Sequence, residues 1–154
     1  MTQAAELDRK SNAKLTDFLC FAVYSANLAF GKAYKPILDQ LGLTYTQYIT
    51  VVALWEQDNQ TVSELGEKLF LESNTLTPLL KKLEAMGYVN RARDAANERH
   101  VRVTLTAEGR RVREKALELS SPLFDACGLS LDGFGSTREA MTKVRDNLLN
   151  ATAK

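Results

Sequence analysis

Residues 61–106, TVSELGEKLFLESNTLTPLLKKLEAMGYVNRARDAANERHVRVTLT, place two helical periods around a three-residue break and then switch, across a glycine, to a period of two. That order restricts the segment to helix, turn, helix, hairpin. Thr61 with Glu64 makes a capping box for a short helix ending near Leu69, and Phe70, Leu71 and Glu72 form the turn. Ser73 or Asn74 is expected to cap the second helix, whose Leu76, Leu79, Leu80 and Leu83 make one apolar stripe. Its opposite face shows Asn74, Thr75, Thr77, Lys81 and Lys82. Gly87 sits where a helix closes with a left-handed residue. Two strands follow, the second alternating Val101, Val103 and Leu105 with Arg102 and Thr104. Arg91 and Arg93 lead into a loop of residues 94–99, the expected wing. The fold class is therefore mainly α with a small β-hairpin, a winged helix-turn-helix.

Charge is distributed to match. The whole chain has 20 basic and 19 acidic residues, a net of +1, yet residues 81–113 hold nine Lys or Arg against four acids. A local basic patch on such a motif is suited to a phosphate backbone. Asn74, Thr75 and Thr77, near the start of the second helix, are candidates for base edges, because amides and hydroxyls both donate and accept. Pro78 is expected near the helix start, where few backbone donors exist to lose, with its ring toward a thymine methyl. Lys81 and Lys82 are candidates for phosphate contacts, with Arg93 at the hairpin and Arg99 on the wing. Asp94 reads as an internal partner for a wing arginine.

On either side the pattern is helical. Leu15, Phe18, Leu19, Ala22, Val23 and Ala26 repeat as one apolar face of a long first helix that follows a polar tail. Pro36 predicts a break near Tyr34 and a new short helix closed by Gly42. Thr44 with Gln47 caps the next helix, in which Tyr48, Val51, Val52 and Trp55 face one way. Thr106 caps a helix that runs to Ser120, Ser121 and Pro122 and resumes or kinks toward Cys127 and Gly128, and Ser136 with Glu139 opens the last one. At 154 residues and 45% apolar, the chain is expected to be one domain. No apolar run approaches the ~20 residues that span a bilayer, and the N-terminus lacks a secretory layout, so a cytoplasmic protein with no membrane partner is expected.

Two cysteines 107 positions apart and one histidine form neither a zinc pattern nor a disulfide framework, so no metal and no cofactor are expected. Cys20 has Tyr24 four residues later, then Tyr34 and Tyr45. Plain core packing accounts for such a group, since free cysteine is among the most buried residue types. A peroxide-reactive thiol must instead be largely thiolate, which a phenol stabilises by donating a hydrogen bond. Both readings stand on the residues alone. No peroxidase motif and no neighbouring arginine surround Cys20, so an enzyme is not expected.

NTLTPLLKKLEAMGYVNRARDAANERHVRVTLTAEGR resembles the recognition helix and wing of the MarR family of bacterial repressors, with Arg-x-Arg-Asp, Asn-Glu-Arg and Val-x-Leu-Thr-x-x-Gly in that family's order. With Cys20, Tyr24, Tyr34, Tyr45 and the LGLTYTQY segment, the likeness extends over nearly the whole chain to the organic-hydroperoxide-sensing OhrR repressors. The resemblance implies a homodimer in which residues 1–42 and 107–154 interleave and residues 44–106 form the DNA-binding lobe. It implies an inverted-repeat operator in double-stranded DNA and organic hydroperoxides as the signal. Cys20 would be the peroxidatic thiol, hydrogen-bonded by Tyr34 and Tyr45 of the partner subunit, with Tyr24 a further member of the network. The apolar residues Phe18, Phe21 and Phe30 would favour organic over hydrogen peroxide. Cys127 would be the resolving cysteine of the two-cysteine type, closing an intersubunit disulfide; a buried structural cysteine is the alternative there. The alternative for the whole chain is a repressor of the same fold released by a small aromatic or phenolic ligand, with no cysteine switch.

Overall fold

The computed structural model describes residues 14–153; the polar tail expected ahead of Leu15 lies almost wholly outside them. After a single 3-10 turn, Leu15–Asp17, the elements are α1 (Leu19–Leu41), α2 (Tyr45–Glu56), β1 (Gln60–Thr61), α3 (Val62–Leu69), α4 (Ser73–Ala85), β2 (Val89–Arg93), β3 (Val101–Leu105), α5 (Ala107–Ala126) and α6 (Leu131–Thr152). They group into two compact units, one ending at Leu117 and the other beginning at Glu118, with the boundary inside α5.

The first unit holds the core. Leu54, Leu65, Leu76, Leu80, Leu83, Val89 and Val103 are fully buried or nearly so, which joins α2, the two helices of the helix-turn-helix and the sheet. The apolar stripe of α4 faces this core as its spacing requires. The last turns of α1 add Ile37, Leu38 and Leu41. Here the sequence expectation is corrected, because α1 does not break near Tyr34 but runs through Pro36 as one helix of 23 residues. A proline inside a helix costs roughly 3 kcal/mol. Burying three large aliphatic side chains just beyond it contributes roughly 1.5–3 kcal/mol each, enough to hold the axis. Gly42 closes α1 at φ 67°, its N–H donating to the Leu38 and Asp39 carbonyls.

Capping boxes open α2 and α3. The Thr44 hydroxyl accepts from the Gln47 N–H at 3.3 Å, and the Gln47 side chain accepts from the Thr44 N–H at 2.9 Å. Thr61 and Glu64 repeat the exchange at 3.1 and 2.6 Å. The turn between α3 and α4 closes on Gly66, where a Cβ would lie 2.8 Å from the Leu71 carbonyl. Phe70 caps α3 in the left-handed region at φ 56°, an uncommon conformation for a bulky residue. The expected cap of α4 is also corrected. Ser73 and Asn74 already lie inside the helix and Glu72 is the N-cap, without a side-chain bond but with its carboxylate beside the positive end of the helix dipole.

The sheet has three strands in the order β1-β3-β2, all antiparallel, with Arg91 opposite Val103 and Gln60 opposite Val103 on its other side. β1 is two residues long, too short to leave a period in the sequence. Thr106 caps α5, accepting from the Gly109 N–H at 3.0 Å and donating to the Gly87 carbonyl at 2.6 Å. Gly109 lets α5 approach the hairpin, since a Cβ there would lie 2.2 Å from the Tyr88 carbonyl oxygen. Its own carbonyl accepts from the Trp55 indole at 2.8 Å.

In the second unit, α5 continues helically through Pro122 to Ala126, and the rings of Phe124 and Phe134 meet at 5.3 Å. The last helix starts earlier than expected. Ser130, not Ser136, is its N-cap and accepts from the Gly133 N–H at 3.1 Å, while Ser136 lies inside α6 and donates to the Gly133 carbonyl. The left-handed Gly128 turns the chain immediately before, so Ser130 is the first residue able to cap. Among the described residues no helix is long and apolar enough to cross a membrane.

Because the obstruction at Gly109 is backbone, it cannot swing away. Gly109→Ala is expected to lower unfolding stability by about 3 kcal/mol in urea titrations.

Candidate DNA-binding face and thiol site

α4 projects from the core with its leucines inward, which turns Asn74, Thr75, Pro78, Lys81 and Lys82 to solvent and leaves Thr77 half-buried. Pro78 is the sixth residue of the helix rather than a first-turn residue, which corrects the expectation that it sits near the helix start, where few donors exist to lose. The C-terminal end of α4 is tied to β2 by Glu84. Its carboxylate accepts from the Arg91 Nε and Nη2 at 3.0 and 2.9 Å and from the Arg91 N–H at 3.0 Å. These bonds, the side-chain ones first, hold the Glu84 carboxyl below its ordinary pKa.

The wing is organised on Asp94, which is 9% exposed. One carboxylate oxygen accepts from the Ala96 N–H at 2.9 Å and the other from Arg102 Nε at 2.7 Å, while the Asp94 N–H donates to the His100 carbonyl at 2.8 Å. Arg102 also donates to the Asn59 carbonyl at 3.1 Å, joining the wing to the loop before β1. The Ala96 N–H, and then Arg102, hold the Asp94 carboxyl below its ordinary value. Asp94 is thus an internal partner for a wing arginine. Arg93 donates to the Glu98 carbonyl at 2.9 Å and so helps to set the loop, while Arg99 is exposed on it.

Between α3, α4 and the wing lies an open hollow of about 210 Å³, lined by Thr61, Val62, Ser63, Ser73, Thr77, Arg99, His100 and Val101. Hydroxyls from two helices and two nitrogenous side chains from the wing converge there, which suits an oxyanion. Sequence reading missed Ser63 and His100. The only signal for Ser63 is its place two residues after the Thr61 cap, and for His100 its place beside Arg99. On the other side of the sheet, Asp58 joins three elements, accepting from the Leu105 and Asn59 N–H groups and pairing with Arg110 at 2.9 Å. Burial pushes its carboxyl up, but those three donors together hold it below its ordinary pKa.

Cys20 lies in the first turn of α1 with its thiol free and exposed. Leu15, Phe18, Cys20, Phe21 and Tyr24 line an open apolar hollow of about 370 Å³. Phe30 stands apart from it, 48% exposed further along α1. Tyr34 and Tyr45 meet edge to face with ring centroids 5.4 Å apart, and Tyr48 packs on Tyr34 at 5.9 Å. The chain therefore brings Tyr24 to Cys20 and Tyr34 to Tyr45, but it does not bring the two pairs together. Cys20 and Tyr34 stand on one continuous helix, fourteen residues and hence about 21 Å apart along its axis. Cys127, in the second unit, is half-buried just beyond α5, its thiol free and its N–H donating to the Leu123 and Phe124 carbonyls. Among the described residues no three His, Cys, Asp or Glu are grouped to hold a metal ion.

The three-stranded winged helix and its basic, hydroxyl-bearing face define a DNA-binding transcriptional regulator. Residues 32–116 match the family described as transcriptional regulator SarA/Rot, and the chain belongs to this family of MarR-like winged-helix regulators. It is 43% identical over 148 residues to the HTH-type transcriptional regulator TtmR of Methylorubrum extorquens, covering 96% of this chain and 74% of that protein. It is 36% identical over 135 residues to the organic hydroperoxide resistance transcriptional regulator of Bacillus subtilis, covering 88% and 92%. Among solved structures, reduced AbfR bound to DNA is similar at a TM-score of 0.77 and 35% identity, over 91% of this chain and 96% of that one. The same regulator with its disulfide formed gives 0.65 at 33% identity, over 97% of each chain. The relatives are regulators, not enzymes.

Asp94 makes the wing testable on its own. Asp94→Ala is expected to release the Ala96 N–H to fast hydrogen exchange and to weaken DNA binding about tenfold. Since the folded-state pKa is depressed, the stabilisation is fully present above the ordinary aspartate value near ~4 and is lost as pH falls through the lower one. Wing amide protection measured by NMR should therefore hold from neutral pH to about 4 and fall only below that.

Proposed function

We propose that this regulator is a homodimeric, redox-sensing repressor of the bacterial cytoplasm, released from an inverted-repeat operator when an organic hydroperoxide oxidises Cys20. The observation that carries the reading is the separation along α1. A thiolate needs a donor, the Tyr34–Tyr45 pair supplies phenols, and a rigid helix keeps the two about 21 Å apart within one chain. A second copy crossing α1 in the opposite direction brings each thiol to the other chain's tyrosines. The exposed apolar residues of α1, including Leu19, Val23 and Leu28, support such a crossing, as do Leu148 and Leu149 of α6. Similarity to a named hydroperoxide regulator and to a regulator solved both reduced on DNA and with its disulfide formed supports the signal.

In the dimer the thiolate of Cys20 attacks the distal oxygen of the hydroperoxide. The S–O bond forms, the O–O bond breaks, and the alkoxide leaves as an alcohol after taking a proton, for which Tyr34 or Tyr45 of the partner is the donor. The sulfenic acid then condenses with the Cys127 thiol of the partner to give a disulfide and water. Phe18 and Phe21 give the entry hollow an apolar wall that suits an alkyl substituent. The crosslink repositions the winged lobes, whose recognition helices must otherwise stand ~34 Å apart to enter successive major grooves. On DNA, Asn74, Thr75, Thr77 and Pro78 face bases, Lys81 and Lys82 face phosphates, and Arg93 and Arg99 serve the wing. A backbone phosphate fits the hollow lined by Ser63, Ser73, Thr77, Arg99 and His100.

Fluorescence anisotropy on the DNA upstream of the regulator's own gene tests this. Near-stoichiometric organic hydroperoxide should release the wild type, dithiothreitol should restore it, and Cys20→Ser should stay bound; release of that variant at wild-type doses would refute the thiol switch. The intersubunit disulfide has its own test. Neither Cys20→Ser nor Cys127→Ser alone can form a Cys20–Cys127 bond, whereas oxidising a re-equilibrated mixture of the two should give a covalent dimer on non-reducing gels. Absence of that heterodimer, with Cys127→Ser releasing cleanly and reversibly, would remove Cys127 from the mechanism.

A further inference from the structure

The reading helix α4 carries a backbone defect on its outward face. Residue 78 is the helical partner of the Asn74 carbonyl, and as a proline it has no N–H to donate. A proline ring in a helix interior also crowds the carbonyl four residues before it. Asn74, Pro78, Lys81 and Lys82 recur at spacings of four, three and one along one face, opposite the buried Leu76, Leu79, Leu80 and Leu83. The carbonyl that lacks this N–H partner thus lies on the helix face opposite the buried leucines.

We infer that the Asn74 carbonyl, freed by Pro78, is a base-reading acceptor that selects an exocyclic amine, the N6 of adenine or the N4 of cytosine, in the major groove. This rests on the reading of α4 as the base-contacting helix. Only those two groups donate on the major-groove edge; thymine O4 and guanine O6 and N7 are acceptors and oppose a carbonyl. The side chains beside it are less selective. The Thr75 and Thr77 hydroxyls rotate to donate or accept, and the Asn74 amide carries both functions, whereas a main-chain carbonyl can only accept. A helix with an unbroken ladder has no such carbonyl ahead of its last four residues.

The test separates the missing N–H from the ring. Duplexes enriched from a random pool by the reduced full-length wild type define its preferred site and the base pair in each half-site that presents the amine. Pro78→Ala restores the N–H, and its preference for the amine-bearing base over the alternatives at that position should fall about fivefold or more, the worth of one hydrogen bond. Pro78→lactic acid, the ester counterpart of alanine, removes the ring but still supplies no N–H, and should keep the preference. In a duplex, N6-methyladenine or N4-methylcytosine loses the amine hydrogen that faces the groove. That change should weaken binding by the wild type and the ester variant and leave Pro78→Ala indifferent, a non-additivity that places the contact on the carbonyl. An unchanged preference in Pro78→Ala overturns the inference. Equal loss in both variants overturns it as well, by assigning the selectivity to the ring. A wild type that enriches no sequence overturns the base-reading role of α4 itself, a failure visible before any variant is made.

Discussion

The continuity of α1 is the constraint on which the proposed sensor and the reader both depend. One end of this helix is sunk in the core through Ile37, Leu38 and Leu41, beside α2. The other end carries Cys20 and its apolar hollow. A stiff element with one end embedded and the other free transmits displacement in a way that a pair of hinged helices does not.

The reading face is built on fixed geometry. Glu84 clamps Arg91 at the exit of α4, Asp94 clamps Arg102 at the base of the wing, and Asp58 clamps the start of α5 through Arg110. Arg91 and Arg102 look from the sequence like part of a basic patch, but they serve mainly as internal struts. What faces outward is smaller and more varied, with hydroxyls, an amide, two lysines and the exposed Arg99. Recognition by such a surface depends on where its few groups are held, and the three carboxylates hold them.

The helix-turn-helix was legible because its signals are local. A capping box is a pair of side chains three residues apart, and Thr44–Gln47 and Thr61–Glu64 both form as their spacing requires. The stripe of α4, the left-handed Gly87 and the role of Asp94 were readable for the same reason. What the sequence hid depends on distant neighbours. Pro36 looks like a break until the residues after it are seen to be buried. β1 has no period of its own and exists because β3 lies beside it. Ser136 and Glu139 have the spacing of a cap, yet Ser130, next to the left-handed Gly128, starts α6 first. In the candidate site, the hollow lined by Ser63 and His100 joins three elements far apart in the chain, which no spacing rule detects. The distance of about 21 Å between Cys20 and Tyr34 lies within the first helix as its period predicts it; what the sequence hid is that this helix continues past Tyr34 into the core.

The Tyr34–Tyr45 pair and the exposed thiol have a consequence for the cell. In the proposed dimer each sensor is assembled from halves that different chains carry, so the population of working sensors follows mass action in the regulator itself. A dissociated chain holds a cysteine without its phenols and phenols without their cysteine. Responsiveness to oxidant is then tied to the expression level of the regulator.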